Sequence, residues 1–180
     1  FRNKHNVSHF KNNKFYQNKK GVNCLLLPGS RDTELKYILP QFISLIKNSN
    51  KKLSNVNWII PTTKLKYKDV ISKIKKSNIS STTRVLILED NYELLKYVDL
   101  AVACSGTITL ELVLFKVPTI AIYKTDFISA LIGRILVDFQ NVLLPNFLLG
   151  KKIIPFLFQE KFNNVQISEL LIEYIDTIDK

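Results

Sequence analysis

The sequence contains no methionine, two histidines, two cysteines and only five glycines. Cys24 and Cys104 each lie inside an apolar run, which argues against a disulfide framework or a zinc site and favours a reducing, cytoplasmic setting. We expect neither a metal ion nor another cofactor. No apolar stretch reaches the roughly 20 residues needed to cross a bilayer. Since even an initiator methionine is missing, we expect a fragment or a processed chain.

Acidic residues are also scarce, 15 against 26 lysines and arginines, and the formal net charge is +11. Such a charge attracts phosphorylated sugars, anionic lipids and nucleic acids alike. A coding bias explains the excess equally well, because Lys, Asn, Ile, Phe and Tyr are all abundant. No basic face with interleaved aromatic residues and no nucleic-acid reader motif is found, so no nucleic acid is expected as a partner.

The chain divides into a short arm and one domain. Residues 1–20 are rich in Lys and Asn and lack apolar periodicity, which predicts an arm or linker. Residues 21–180 are enough for one domain with its own core. A strongly apolar run at residues 127–132 is interpreted as a core helix, with a membrane-surface helix as the alternative.

Short aliphatic runs alternate with helical patterns from Gly21 onward, which predicts a doubly wound, Rossmann-like α/β fold with a parallel sheet. The helix after the first strand contains Pro40, so we expect it to bend or to divide into two pieces. The predicted strands are Val22–Leu27, Val56–Ile60, Val85–Leu88, Leu100–Cys104 and Thr119–Tyr123.

The first predicted strand runs into Pro28-Gly29-Ser30-Arg31, at the sheet edge where ligands bind in such folds. Gly29 permits a close backbone approach, and the planar guanidinium of Arg31 matches the oxygens of a diphosphate. Asp32 or Thr33 is expected to cap the next helix. An ordinary turn with a surface arginine is the alternative interpretation.

The fourth predicted strand runs into Ser105-Gly106-Thr107, where another helix begins. The free N–H groups and positive dipole of a helix start favour an anion, and the two hydroxyls add donors. Glu111 lies about one turn further along, where a carboxylate can accept hydrogen bonds from a ribose diol. A capped helix with an exposed glutamate is the alternative.

Two polar residues near the C terminus are further candidates. Asn146 follows a proline in a loop and has the chemistry to contact a sugar or phosphate oxygen, and Gln159 has the chemistry to contact a polar ligand. Taken alone, each fits a structural role equally well.

In order and spacing, the chain from about Gly21 onward resembles the lipid-A-disaccharide synthases. The helix containing Ile38-Leu39-Pro40 also fits that family's pattern. The matching segments are Leu27-Pro28-Gly29-Ser30-Arg31 with Glu34, Ser105-Gly106-Thr107-Ile108-Thr109-Leu110-Glu111, Pro118 to Tyr123, Leu144-Pro145-Asn146, and Pro155 with Gln159.

The resemblance implies the C-terminal half of a two-domain GT-B glycosyltransferase that binds the donor UDP-2,3-diacylglucosamine. The acceptor, 2,3-diacylglucosamine 1-phosphate, is expected on an N-terminal domain that is absent from these residues, so the chain alone is expected to be incomplete for catalysis. The products of the family's reaction are UDP and a β-linked disaccharide in lipid A biosynthesis. The family works in the cytoplasm at the inner membrane face, so the resemblance implies a cytoplasmic protein that can attach peripherally to that membrane.

The resemblance also assigns roles to residues. Arg31 is the expected catalytic residue, because it would stabilise charge on the departing diphosphate together with the helix start after Ser105. Glu111 would hold the ribose. The expected substrate-binding residues are Gly29, Ser30, Arg31, Ser105, Gly106, Thr107, Thr109, Glu111, Asn146 and Gln159.

One position departs from the family pattern, since Phe156 stands where an acidic residue usually follows the proline. Three alternatives to the main interpretation stay open at this point. The first is another UDP-sugar GT-B enzyme, such as the peptidoglycan N-acetylglucosaminyltransferase or the non-hydrolysing 2-epimerase. The second is a basic nucleic-acid-binding domain, and the third is a remnant without activity.

Overall fold

A computed structural model describes residues 21–49, 51–79, 83–87, 92–126, 129–130 and 143–178. The predicted arm at residues 1–20 and most of the apolar run at 127–132 lie outside the described residues. The expectations for these two segments therefore stay predictions.

The described residues form one six-stranded sheet in which every neighbouring pair of strands is parallel. The strand order is β3-β2-β1-β4-β5-β6, the order of a doubly wound Rossmann sheet, so the predicted fold class is confirmed. The strands are β1 (Val22–Leu27), β2 (Val56–Thr62), β3 (Thr83–Ile87), β4 (Leu100–Cys104), β5 (Thr119–Tyr123) and β6 (Phe156–Phe158). The helices are α1 (Asp32–Lys47), α2 (Lys64–Lys76), α3 (Thr107–Leu114), α4 (Leu144–Leu149) and α5 (Asn164–Ile178), with short 3₁₀ turns at Lys51–Leu53, Tyr92–Tyr97 and Gln159–Lys161.

Both faces of the sheet are buried, which explains why its strands are continuous apolar runs rather than alternating ones. In β1, Cys24 and Leu26 pack on the face covered by α1, α2 and α5. Leu25 and Leu27 pack on the opposite face with residues of α3 and of the 3₁₀ turn at Tyr92–Tyr97. Across the first face, the rings of Phe42 and Phe162 meet edge to face with centroids 6.0 Å apart.

Three of the five predicted strands, β1, β4 and β5, have the predicted bounds, while β2 runs two residues further and β3 begins two residues earlier. The sixth strand, β6, was not predicted. It has only three residues, and its register against β5 places Phe156, Leu157 and Phe158 opposite Ala121, Ile122 and Tyr123. A run this short, between Pro155 and a 3₁₀ turn, gives no periodicity to detect.

The expectation that Pro40 would divide the first helix is wrong, because α1 is continuous from Asp32 to Lys47. The proline removes one hydrogen bond, the one that its N–H would donate to the carbonyl of Lys36. Both residues are solvent-exposed, so water can satisfy that carbonyl. The apolar stripe on the other side of α1 remains packed on the sheet.

No helix within the described ranges is long and apolar enough to span a membrane.

Candidate functional site

A cleft of 660 Å³ lies at the carboxyl ends of β1, β2 and β4. This is the point where the strand order reverses, with β1 followed by β2 on one side while β4 returns on the other, and ligands bind at such points in open α/β sheets. Seven of the ten predicted substrate-binding residues line the cleft: Gly29, Ser30, Arg31, Ser105, Gly106, Thr107 and Glu111.

The turn after β1 is closed by a buried carboxylate. Glu34 is 7% exposed, and its Oε2 accepts the backbone N–H groups of Ser30 at 2.9 Å and Arg31 at 3.1 Å. The expectation that Asp32 or Thr33 caps this helix is wrong, since Arg31 occupies the N-cap position and Glu34 bonds back to its N–H. A glutamate at the third helical position satisfies these donors as in a capping box.

The guanidinium of Arg31 is attached to the same carboxylate. Its Nη1 donates to Oε1 of Glu34 at 3.0 Å, while the arginine side chain is 78% exposed. Arginine has five N–H donors in a planar fork, so one bond to Glu34 leaves most of them for a ligand. Arg31 is therefore bonded to the buried Glu34 and also accessible to a ligand in the cleft.

The opposite wall of the cleft is the start of α3. Ser105 closes the strand by donating its N–H to the carbonyl of Ile122 at 2.8 Å. The N–H groups of Thr107 and Ile108, the first in the helix, donate to no group among the described residues, and no side chain caps this end. Unsatisfied donors at the positive end of a helix form an anion site.

Glu111 adds an acceptor to this wall. It lines the cleft, and its Oε2 is buried without a hydrogen-bond partner among the described residues. A buried carboxylate oxygen without a partner is costly, and a ligand hydroxyl group would satisfy it. The side chain thus matches the predicted role of holding a diol.

Cys104 lies between the two walls, and its thiol is a poor nucleophile. Burial raises the pKa of the Cys104 thiol to about 12, with a smaller upward contribution from the Glu34 carboxylate and an opposing one from Arg31. The thiol therefore stays protonated near neutral pH, which argues against a covalent role for it.

Thr109 does not line the cleft. It is fully buried, and its hydroxyl donates to the carbonyl of Gly106 at 2.7 Å. This bond holds the first turn of α3 in shape, so the side chain supports the helix start from beneath.

Asn146 and Gln159 also lie outside the cleft lining. Within the described part of the chain, the amide of Asn146 bonds to backbone, donating to Ile154 O and accepting from the N–H groups of Ile153 and Ile154, each at 3.0 Å. The amide of Gln159 pairs with the backbone of Thr125, at 3.2 Å to its carbonyl and 3.4 Å from its N–H. The expectation that Asn146 lies in a loop is wrong, because it lies on α4, and Gln159 begins a 3₁₀ turn. Both amides hold neighbouring backbone in place rather than line the cleft.

Sequence reasoning did not assign several cleft residues to the site. Thr62 and Thr63 enter the lining because β2 ends beside β1, and Glu34 enters it through its bonds to the turn. The strand-end rule that located Arg31 and Ser105 applies equally to Thr62, so this signal was present. No comparable signal in the sequence shows that the Glu34 side chain bonds to the backbone of the turn.

A family model for lipid-A-disaccharide synthetase matches residues 3–180 of the chain. The chain belongs to the lipid-A-disaccharide synthetase family. The lipid-A-disaccharide synthase of Persephonella marina is 32% identical over 153 residues, which cover 84% of this chain and 40% of that protein. The synthase of Francisella tularensis subsp. novicida is 31% identical over 169 residues, covering 86% of this chain and 44% of that protein. The chain thus spans about two fifths of the length of these relatives.

Solved structures support the same fold. WaaG, a glycosyltransferase involved in lipopolysaccharide biosynthesis, matches with a TM-score of 0.59 and 14% identity, over 95% of this chain and 42% of its own. The C-terminal domain of a group 1 glycosyl transferase (LpcC) from Francisella tularensis matches with a TM-score of 0.52 and 18% identity, over 91% of this chain and 81% of that domain. The expected Rossmann-like α/β fold, as found in GT-B glycosyltransferases, is confirmed.

Membership of the lipid-A-disaccharide synthetase family favours the main interpretation over the other UDP-sugar enzymes and over a nucleic-acid-binding domain. The position that departs from the family pattern, Phe156, is the first residue of β6 and packs against the small core cluster of Ala121, Leu143 and Ile154. Its ring centroid lies 6.2 Å from that of Phe158.

Gly29 is expected to tolerate no side chain. Its φ is +91°, and a Cβ there would lie 2.2 Å from Oε2 of Glu34. Gly29→Ala should lower the free energy of unfolding by about 3 kcal/mol, through backbone strain and displacement of a bonded carboxylate. Urea denaturation measures the change.

Gly150→Ala is the matched control, because Gly150 also has a positive φ, +60°, but a Cβ there meets no atom within 4 Å. Strain alone should cost about 1 kcal/mol at Gly150. Equal losses in the two variants would show that the Glu34 carboxylate does not restrict residue 29.

Proposed function

We propose that this chain is the donor-binding part of a lipid-A-disaccharide synthase and binds UDP-2,3-diacylglucosamine in the cleft. The observation that supports this proposal is the pairing of two features across one cleft: the open helix start at Thr107 and the unpartnered, buried Oε2 of Glu111. One feature suits a diphosphate and the other suits the ribose hydroxyls of the same nucleotide.

The proposed reaction transfers 2,3-diacylglucosamine to a hydroxyl group of 2,3-diacylglucosamine 1-phosphate. The bond between the anomeric carbon and the diphosphate oxygen breaks, a bond from that carbon to the acceptor oxygen forms, and UDP leaves. The acceptor proton passes to a base outside this chain, on the domain that binds the acceptor. Residues 21–180 are proposed to bind the donor alone, so complete turnover requires the acceptor-binding domain as well.

In this proposal the chain acts on the leaving group. Negative charge grows on the diphosphate as the sugar departs, and it is met by the guanidinium of Arg31 and the N–H groups at the start of α3. Both lie in the cleft, and Arg31 keeps donors available beyond its bond to Glu34. Of the ten predicted substrate-binding residues, the seven in the cleft lining are proposed to contact the donor, and Thr109, Asn146 and Gln159 to support the structure around it.

The donor site is tested by calorimetric titration of the chain with UDP. Wild-type protein should bind saturably, and Arg31→Ala and Glu111→Gln should each weaken the affinity by about ten- to one-hundredfold, the cost of losing a charge-assisted hydrogen bond. Arg84→Ala and Glu169→Gln are matched controls, because neither residue lines the cleft.

Wild-type affinity for UDP-2,3-diacylglucosamine that is no greater than for UDP would leave the nucleotide site in place but remove the acylated sugar from the proposal. Absence of UDP binding by folded wild-type protein would overturn the donor assignment. A uniform loss in the Arg31 and Arg84 variants would reduce Arg31 to a contributor of general charge.

We also propose that the protein works in the cytoplasm, attached peripherally to the inner membrane, and that an apolar patch on α4 makes the contact. This α4 patch consists of Leu144, Phe147, Leu148 and Leu149, which are 43–64% exposed, together with Ile153 at 38%. Lys151 and Lys152 are exposed beside it. Apolar side chains flanked by lysines suit the surface of an anionic bilayer.

Vesicle co-sedimentation tests the α4 patch. The double variant Phe147→Ser/Leu148→Ser should bind phosphatidylglycerol vesicles at least tenfold more weakly, because two large apolar side chains no longer enter the bilayer surface. Leu65→Ser is the control, since Leu65 is 89% exposed but lies on α2.

Lys151→Glu/Lys152→Glu should weaken binding to phosphatidylglycerol vesicles more than binding to phosphatidylcholine vesicles, because only the former attract lysines. If Leu65→Ser weakened vesicle binding as much as Phe147→Ser/Leu148→Ser, the assignment of the α4 patch would be contradicted. A dimer that the Phe147→Ser/Leu148→Ser variant abolishes would show that a second copy covers the patch instead.

A further inference from the structure

Glu34 is a carboxylate in the lining of a cleft that is proposed to bind an anionic ligand. It is 7% exposed and accepts three hydrogen bonds, from the N–H groups of Ser30 and Arg31 and from Nη1 of Arg31. A negative charge here repels a diphosphate, so the residue must contribute something that offsets this repulsion.

The two backbone donors that Glu34 occupies are those that a strand-to-helix turn would otherwise offer to a phosphate. Oε2 of Glu34 already fills the anion position of the turn, directly beside Gly29. A ligand phosphate would have to displace a bonded carboxylate to reach these N–H groups. Among the described residues, no group competes for the open donors at the start of α3.

The third bond acts on Arg31. An exposed arginine loses rotamer entropy when a ligand immobilises it. Here one nitrogen is bound to a buried acceptor at 3.0 Å while the side chain stays 78% exposed. This bond restricts the guanidinium before any ligand arrives, which lowers the entropy cost of binding.

We propose that Glu34 is a positioning residue that fills the anion position of the turn after β1 and holds the Arg31 guanidinium at the cleft, so that a diphosphate binds between Arg31 and the start of α3. This inference rests on the proposed donor-binding function for its ligand. A helix cap alone would explain the two backbone bonds but not the bond to Nη1.

A double-mutant cycle on UDP affinity separates positioning from capping. Glu34→Gln keeps the shape of the side chain but replaces one acceptor oxygen with a donor, so it should weaken UDP binding about tenfold when Arg31 is present. In the Arg31→Ala background the same substitution should change UDP affinity by less than twofold. Non-additivity of this kind is not expected of a residue that only stabilises the fold.

Asp32→Asn is the matched control. It removes the same charge from the first turn of the same helix, but Asp32 pairs with Lys66 rather than with the turn. UDP affinity should change by less than twofold in this variant, because its charge is exposed and screened. A response to Glu34→Gln that matches the response to Asp32→Asn would overturn the proposal.

Two further outcomes would also overturn it. Tighter UDP binding by Glu34→Gln would mean that repulsion outweighs positioning, and an undiminished effect in the Arg31→Ala background would mean that Glu34 acts only through the fold.

A ligand-free readout keeps the test independent of the donor assignment. In ¹⁵N relaxation, the Nε–H of Arg31 should be ordered in wild-type protein and Asp32→Asn, and mobile in Glu34→Gln.

If wild-type protein fails to bind UDP while Arg31 loses order only in Glu34→Gln, the proposed function fails and the positioning role remains. If Arg31 is equally mobile in all three proteins, the positioning role fails whatever UDP does.

Discussion

The parallel pairing of β1 with β4 determines where the rest of the site lies. Leu27 at the end of β1 lies opposite Ala103 near the end of β4, so the turn after one strand and the helix start after the other begin side by side. The strand β2 pairs with β1 on the side away from β4, and the last residues of β2 form the third wall of the cleft. The candidate site follows from this register, since its two proposed anion-binding features come from segments about 75 residues apart in the chain.

The strand ends were predictable from sequence because a buried parallel strand is an uninterrupted aliphatic run, and the turn residues that follow it are polar. This is why Arg31, Ser105 and Glu111 were placed correctly relative to one sheet edge. Asn146 and Gln159 were not, because a side-chain amide satisfies backbone groups or a ligand equally well, and only the fold shows that the backbone of Ile153, Ile154 and Thr125 occupies them. The effect of Pro40 was not predictable, because its cost to the helix depends on whether the freed carbonyl of Lys36 is exposed to water, which the sequence does not show.

One helix connects the two proposed surfaces. The first turn of α3 forms a wall of the cleft, and at its other end Leu114 and Phe115 are 73% and 39% exposed near α4, which packs against this helix. Eight helical residues span only about 12 Å. In this proposal, the nucleotide site and the proposed membrane contact of an acylated donor therefore lie at the two ends of one short helix. The net charge of +11 favours both proposed contacts, because a diphosphate and an anionic lipid are both attracted by positive charge.

A crystal structure of the chain with UDP bound would decide whether the cleft at the ends of β1 and β4 holds a nucleoside diphosphate between Arg31 and the start of α3. The diphosphate oxygens should lie within hydrogen-bond distance of the N–H groups at Thr107 and Ile108 and of the Arg31 guanidinium. The ribose hydroxyls should contact Glu111, and Glu34 should stay bonded to the turn. A diphosphate seated on the N–H groups of Ser30 and Arg31 with Glu34 displaced, or bound elsewhere on the protein, would contradict this placement.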